Sequence, residues 1–309
     1  MKIEKALTML FFCSAAVITL LAATAQAEIS PEERQMIEAA VPTKAFVEPQ
    51  KPRSLLICNL SVKNGDRAYG HASTPSGNLA FELMGEKTGA FTVVISNDSL
   101  MFTKENLARF DAVCFLNTAG VIFKDPGLRI NLLDFVSNGG GFIGIHAAAA
   151  TFVQWPEYWQ FPAFGQMLGA YEDGGHPWKP DETIYLKVEE PEHPLVCMFP
   201  DKVFPIQDEV FQFRAPYSRD ALRVLLSIDV TKTDMNPSRR FLPQRSADKD
   251  FATSWIREYG KGRVFYSSLG HNAHIYWNKE VLAHFLAGIQ YALGDLDADA
   301  TPSNQLFTK

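Results

Sequence analysis

The sequence predicts an α/β fold, doubly wound, with a mostly parallel sheet covered by helices on both faces and an antiparallel C-terminal extension. Three observations carry that expectation. From Ser54 to His146, apolar runs of strand length alternate with runs of helix length. The strand runs are apolar on both faces, as strands buried between two helical layers must be. After about Pro177 the strand-like runs follow one another without intervening helices, the pattern of antiparallel pairing.

The elements follow in order. Lys2 and Lys5, the apolar run from Ala6 to Ala23, and Ala25-Gln26-Ala27 before Glu28 have the layout of a secretory signal peptide. Cleavage after Ala27 predicts a periplasmic or secreted protein without a stable membrane anchor. Residues 1–27 are then the leader, 28–53 a lead-in with one helix near Pro31 to Ala40, 54–294 the α/β domain and 295–309 a tail. The expected strands of the first half are Leu55 to Leu60, Phe91 to Ser96, Ala112 to Asn117 and Phe142 to His146. Between them lie helices from Asn78 to Thr88, stopped by Gly89; a short one opened by Thr103; and Pro126 to Asn138, capped by Asp125 and ended by Gly139. The second half is expected to hold strands at Thr183 to Glu189, Val210 to Phe213, Arg223 to Ile228, Ala252 to Glu258 and Arg263 to Ser268. A loop from Thr231 to Lys249 and a closing helix from Lys279 to Leu293 complete it.

Composition narrows the function classes. At 309 residues and 47% hydrophobic, the chain can bury a large core. A formal net charge of -6 without a basic block argues against nucleic acid as a partner. Gly139-Gly140-Gly141 precedes its strand and has neither a following Lys-Ser/Thr nor an ordered G-x-G-x-x-G, so no nucleotide cofactor is expected. Cys58 and Cys114 sit in strand-like runs and read as buried thiols; with Cys197 they have no metal-like spacing, and a disulfide among the three is left open.

In open α/β sheets, ligands bind beyond the carboxyl ends of the strands. His71, His146 and His271 each follow such an end, so the three are expected in one cleft. His146 stands where glycines lead in and Ala147 to Ala150 lead out, a strand-to-helix turn of the kind that presents a nucleophile; an imidazole there suits proton transfer or metal binding. His176, in Gly174-Gly175-His176, and one of the adjacent carboxylates Asp208 and Glu209 extend the set. Neighbours on an extended chain point opposite ways, so at most one of the two faces the cleft, and Glu209 is taken for that place. His146, His271 and Glu209 are assigned to acid-base chemistry. His71, His176 and Glu209 are the expected ligands of a divalent metal such as zinc or manganese. Tyr171, Trp178 and Trp277, with Trp155, Tyr158 and Trp159, form an expected aromatic surface for a sugar. His193 and His284 read as structural, and His274 is left undecided.

Tyr69-Gly70-His71-Ala72-Ser73, Gly139-Gly-Gly-Phe-Ile-Gly-Ile-His146-Ala, Trp155-Pro156-Glu157-Tyr158, Gly175-His176-Pro177, Asp208-Glu209-Val210-Phe211 and Tyr259-Gly-Lys-Gly-Arg-Val-Phe-Tyr-Ser-Ser-Leu-Gly270-His271 together resemble the trehalose-utilisation (ThuA-like) family over about residues 54 to 294. The resemblance implies a class I glutamine amidotransferase-like fold with His146 where that fold places its cysteine, and so no amidotransferase activity. It implies a role in disaccharide or keto-sugar catabolism, with a divalent metal in some members. The Ala147 to Ala150 run departs from relatives that carry a small polar residue after the histidine.

The expected function is an exported enzyme doing proton-transfer chemistry, by isomerisation, elimination or hydrolysis, on a glycoside or keto-sugar, with a small-molecule carbohydrate as partner. No carboxylate pair suggests a two-carboxylate glycosidase. The alternative is a non-catalytic sugar-binding or interaction module on the same fold.

Overall fold

The computed structural model describes residues 29–63, 66–67, 70–153, 160–172, 175–235, 243 and 247–306. The leader expected at 1–27 lies outside them, as do Tyr69, Trp155, Tyr158 and Trp159.

Apolar runs in the interior of the sheet become strands by burying both faces, while those toward its edges bury less or alternate. They are β1 (Ser54–Cys58), β4 (Thr92–Ile95), β5 (Ala112–Leu116), β6 (Gly141–Ile145), β8 (Thr183–Val188), β9 (Val203–Gln207), β11 (Arg223–Ile228), β12 (Ala252–Tyr259) and β13 (Gly262–Ser267). Two small ribbons stand apart: β2 (Val62–Lys63) with β3 (Asp66–Arg67), and β7 (Tyr171–Glu172) with β10 (Phe213–Arg214). The nine-stranded sheet has the order β4-β1-β5-β6-β13-β12-β11-β8-β9. Its first five strands are mutually parallel, and from β13 to β9 every pairing is antiparallel. Only β12 and β8 therefore run against the rest of the sheet.

The helices are α1 (Pro31–Ala40), α2 (Thr74–Thr88), α3 (Lys104–Leu107), α4 (Pro126–Ser137), α5 (Pro162–Leu168) and α6 (Lys279–Ala292). Their starts are set by side chains that accept free backbone N–H groups: Asp125 takes Gly127 N at α4, and Asn278 takes Val281 N at α6. Helix α2 stops at Gly89 in the left-handed conformation, which glycine adopts without steric cost. One apolar layer packs α1, α2 and α6 on the sheet, and the other packs α4 and α5 on the opposite face. Cys114 lies in the first layer and Cys58 in the second, so the sheet separates them; neither forms a disulfide, nor does the exposed Cys197.

The lead-in and tail pack onto this body. Gln290 on α6 accepts from Phe46 N and donates to the Val47 carbonyl, Arg53 forks onto Asp295, and Ser303 N donates to the Leu222 carbonyl. Among the described residues, no helix is long and apolar enough to cross a membrane.

Two expectations of the second half change. Val210 to Phe213 is not a strand: only Phe213 joins β10, and residues 208–212 cross the end of the sheet as irregular backbone. Strand β9 was not expected. It holds Pro205, which lacks an N–H, and a proline is tolerated there because β9 is the sheet edge.

Candidate functional site

Strands β1, β5, β6 and β13 are neighbours, and the chain leaves their carboxyl ends on one side. His146 follows β6 directly, with φ at 49°, and opens the tight turn His146–Ala150. This left-handed start is strained for a residue with a Cβ. It is held by Tyr266 Oη, which donates to the His146 carbonyl at 2.7 Å, and by stacking of the imidazole on Phe211 at 4.5 Å. His271 follows β13 and His71 follows β1. Their rings meet that of His146 edge-on, with centroids 4.8 Å apart for His71–His146, 5.1 Å for His71–His271 and 5.1 Å for His146–His271.

The protons are ordered by fixed acceptors. His146 Nδ1 lies 2.9 Å from the Ser268 carbonyl, which can only accept, so Nδ1 carries the hydrogen and Nε2 presents a lone pair. That Nε2 faces His271 Nδ1 at 3.2 Å. Glu209 Oε2 sits among the rings, 3.1 Å from His271 Nδ1, 3.5 Å from His176 Nδ1 and 3.8 Å from His146 Nε2. His176 Nε2 lies 4.0 Å from Glu172 Oε1.

Burial and charge then split the histidines. Burial, reinforced by the neighbouring His271, pushes His71 down to about 4. Burial holds His146 well below the ordinary imidazole range and lowers His176 as well. For His271 burial acts the same way, but its hydrogen bond to Glu209 and the charge of that carboxylate outweigh it and raise the imidazole. Burial works against ionisation of Glu209 too, and the hydrogen bond from His271 with the charges of His176 and His271 lowers it nonetheless. The arrangement pairs a His271 whose protonated form is favoured with a Glu209 whose ionised form is favoured, beside imidazoles whose protonated forms burial disfavours.

The cleft has a volume of about 440 Å³, and the described residues lining it include His71, Glu172, His176, Glu209, Phe211 and His271. His146 is fully buried beneath it. The structure thus brings together His71, His146, His176, Glu209 and His271. It does not bring the three expected aromatics to the cleft. Tyr171 is buried with its hydroxyl on the Phe161 carbonyl, and Trp178 is buried with its indole N–H on the Asp234 carbonyl at 2.8 Å. Trp277 packs half-buried against the α6 layer. Bulky aromatics fill cores as readily as they line sugar sites, and here Tyr171 and Trp178 do the former.

Among the described residues, the group whose donor atoms could surround one ion is His71, His146 and His271, all within 4.8 Å of one another. It shares only His71 with the expected ligand set of His71, His176 and Glu209. The trio fits a divalent metal chemically: its separation of 3.2 Å between His146 Nε2 and His271 Nδ1 is close to the spacing of about 3.3 Å that Zn–N bonds of about 2 Å give in a tetrahedron, and the Ser268 carbonyl orients His146 as such ligands are commonly oriented.

Sequence reasoning missed Glu172 and Phe211. Glu172 stands four residues before His176, a carboxylate in a short apolar run beside a glycine-rich loop, and that placement was the available signal. His193 and His284 lie away from the site on backbone carbonyls of Asp299 and Leu195, and His274 Nε2 meets the Gln207 carbonyl at 2.7 Å.

Two solved structures share the fold. A ThuA-like protein from Bacteroides uniformis matches with a TM-score of 0.63 at 21% identity, over 82% of this chain and 97% of the other. A second, from Parabacteroides merdae, matches with a TM-score of 0.55 at 17% identity, over 82% and 99%. No curated protein matches the chain. The family model for ThuA, trehalose utilisation, matches residues 59–292, a span that begins just after β1 and holds all the histidines of the cleft and Glu209. The chain therefore belongs to the ThuA family, which places it in carbohydrate utilisation.

Proposed function

We propose that the protein is an exported enzyme that moves protons on a keto-sugar or its glycoside. The observation that carries this reading is the position of Glu209 Oε2, within 3.5 Å of His176 Nδ1 and 3.1 Å from His271 Nδ1. One carboxylate thus stands between an imidazole shifted down by burial and one shifted up by its hydrogen bond to that carboxylate, and groups pushed apart in this way divide into base and acid. A C–H beside a ketone is acidic enough for a neutral imidazole to remove. In this reading His176 takes that proton, and His271 gives its own to the carbonyl oxygen, leaving an enediol. Return of a proton to the other carbon isomerises the sugar. If a glycosidic oxygen leaves the carbon next to the enol, its C–O bond breaks, His176 gives the proton it took to the departing oxygen, His271 takes back the enol O–H proton, and the products are an alcohol and an unsaturated ketone. Glu209, beside His176 Nδ1 and His271 Nδ1, holds the two rings in place, and because each histidine ends the cycle with the protons it began with, no other reactant is needed. His146 supports His271 from below through its Nε2.

His71, His146 and His271 are also the residues that would hold zinc or manganese, and with an ion bound His271 would be a ligand rather than the proton donor. Bound there, such an ion supplies Lewis-acid stabilisation of an enolate oxygen. The cleft is offered to an uncharged carbohydrate, in keeping with the family.

The test is to incubate purified protein, with and without added zinc or manganese, with a panel of 3-keto-glycosides and the parent disaccharides, and to follow products by NMR. Conversion of a keto-sugar is expected. A panel left unchanged under all conditions removes the enzymatic reading, and tight binding without conversion would favour the sugar-binding module.

A further inference from the structure

The carboxylate next to Glu209 does not enter the cleft. Asp208 is fully buried, and its oxygens accept from backbone N–H groups of the loop that carries His271. Oδ2 takes Gly270 N at 2.7 Å and His271 N at 3.3 Å, and Oδ1 takes Asn272 N at 2.8 Å. The same loop is fixed on its other side by Ser73, whose hydroxyl donates to the Gly270 carbonyl at 2.7 Å. Two consecutive side chains therefore grip one histidine, Asp208 by its backbone and Glu209 by its ring. Alternation along an extended chain makes this possible, since neighbours point to opposite sides.

From this double grip we propose that Asp208 is a positioning residue that sets His271 against Glu209 for proton transfer. The inference rests on the proposed acid-base reading of His271, but its structural half stands without any reaction. A carboxylate is required because both oxygens accept. An amide of the same shape has one accepting oxygen, so in either orientation its NH₂ group faces a backbone N–H. Gly270 leaves little room to relax: its φ is +129°, and the Tyr276 hydroxyl and Ile145 close on it.

The experiment compares wild type with Asp208→Asn, using Asn272→Ala as a control. The control removes the Asn272 side-chain bonds to the Pro180 and Gln207 carbonyls but keeps its N–H on Asp208. The first readout needs no substrate: the hydrogen-bonded imidazole N–H proton of His271, seen by NMR, is expected in wild type and in the control and lost in Asp208→Asn. On a 3-keto-glycoside, Asp208→Asn should lower kcat about tenfold to a hundredfold with KM changed less than threefold. If the variant keeps the His271 signal, the proposal is overturned whatever the activity. If no keto-sugar is converted by wild type, the proposed reaction fails while the NMR comparison still decides the positioning. Should Asp208→Asn not fold, amide hydrogen exchange in wild type decides instead: protected N–H groups at 270–272 are expected, and exchange at the rate of open loops would overturn the proposal.

Discussion

The two halves of the sheet contribute to the site in different ways. In the parallel half, β1, β6 and β13 deliver His71, His146 and His271 to one edge because parallel neighbours end on the same side. The antiparallel half delivers its carboxylate by another route. Glu209 follows β9, the strand farthest from β4 in sheet order, and reaches the histidines because residues 208–212 run back across the strand ends to β10. The parallel half thus brings the imidazoles to one edge by topology and side-chain bonds refine them there, whereas the acidic partner depends throughout on an irregular segment. That difference predicts where the site is robust and where it is fragile.

Replacing the parallel half's half-buried His271 should have the largest effect. His271→Gln is expected to reduce turnover of a keto-sugar about a thousandfold, since acid-base groups typically contribute a hundredfold to ten-thousandfold. Steady-state kinetics check this, and a loss below tenfold would take His271 out of the chemistry. On the crossing segment, Glu209→Gln keeps the shape but removes the charge, and a loss of about a hundredfold is expected. The comparison between halves would break if this variant matched wild type.

A buried histidine beneath the antiparallel half provides a contrast in stability. His284, between the Leu195 carbonyl and Ser254 Oγ, is pushed by burial from 6.5 down to about 4. The folded protein then binds fewer protons than the unfolded chain between these values. The stability due to neutral His284 is therefore full above pH 6.5 and is lost as pH falls toward 4. From pH 6.5 to 5 that loss is about 2 kcal/mol, the product of 1.5 pH units and about 1.4 kcal/mol per unit. Chemical denaturation at the two pH values should show a visibly shallower fall in His284→Gln, and an equal slope in both proteins would contradict the assignment. The smallest expected effect tests how tightly the two halves meet. At Gly270 an added Cβ would lie 2.6 Å from Tyr276 Oη in a backbone conformation disfavoured for L side chains. Gly270→Ala should cost about 1–2 kcal/mol by thermal or chemical unfolding, and an unchanged midpoint would mean that the loop yields freely.

Legibility in the sequence followed the same division. Runs such as Ala112–Leu116 and Gly141–Ile145 are buried throughout, so their apolar content alone marks them as strands, and Asp125, Thr103 and Gly89 mark helix ends by local chemistry. The convergence of His71, His146 and His271 was readable for that reason: it needs only strand ends. The antiparallel half was harder to read. Pro205 disguised β9, and the apolar residues Val210 and Phe211 resembled a strand although they are buried by crossing the sheet end. Tyr171 and Trp178 could not be assigned to a surface because their burial depends on tertiary neighbours. Alternation showed that only one of Asp208 and Glu209 could face the cleft but not which, and the backbone bonds of Asp208 had no trace in the pattern.

The central claim, that imidazoles from the parallel strand ends and a carboxylate from the antiparallel half form one proton-transfer site, is tested most directly by carbon-bound hydrogen exchange. Wild type, His271→Gln and Glu209→Gln would each be incubated in D₂O with a 3-keto-glycoside, and deuterium beside the ketone followed by NMR. The account predicts rapid incorporation with wild type and at least about a hundredfold slower incorporation with either variant. Incorporation by wild type no faster than in buffer, or equally fast in both variants, would contradict it.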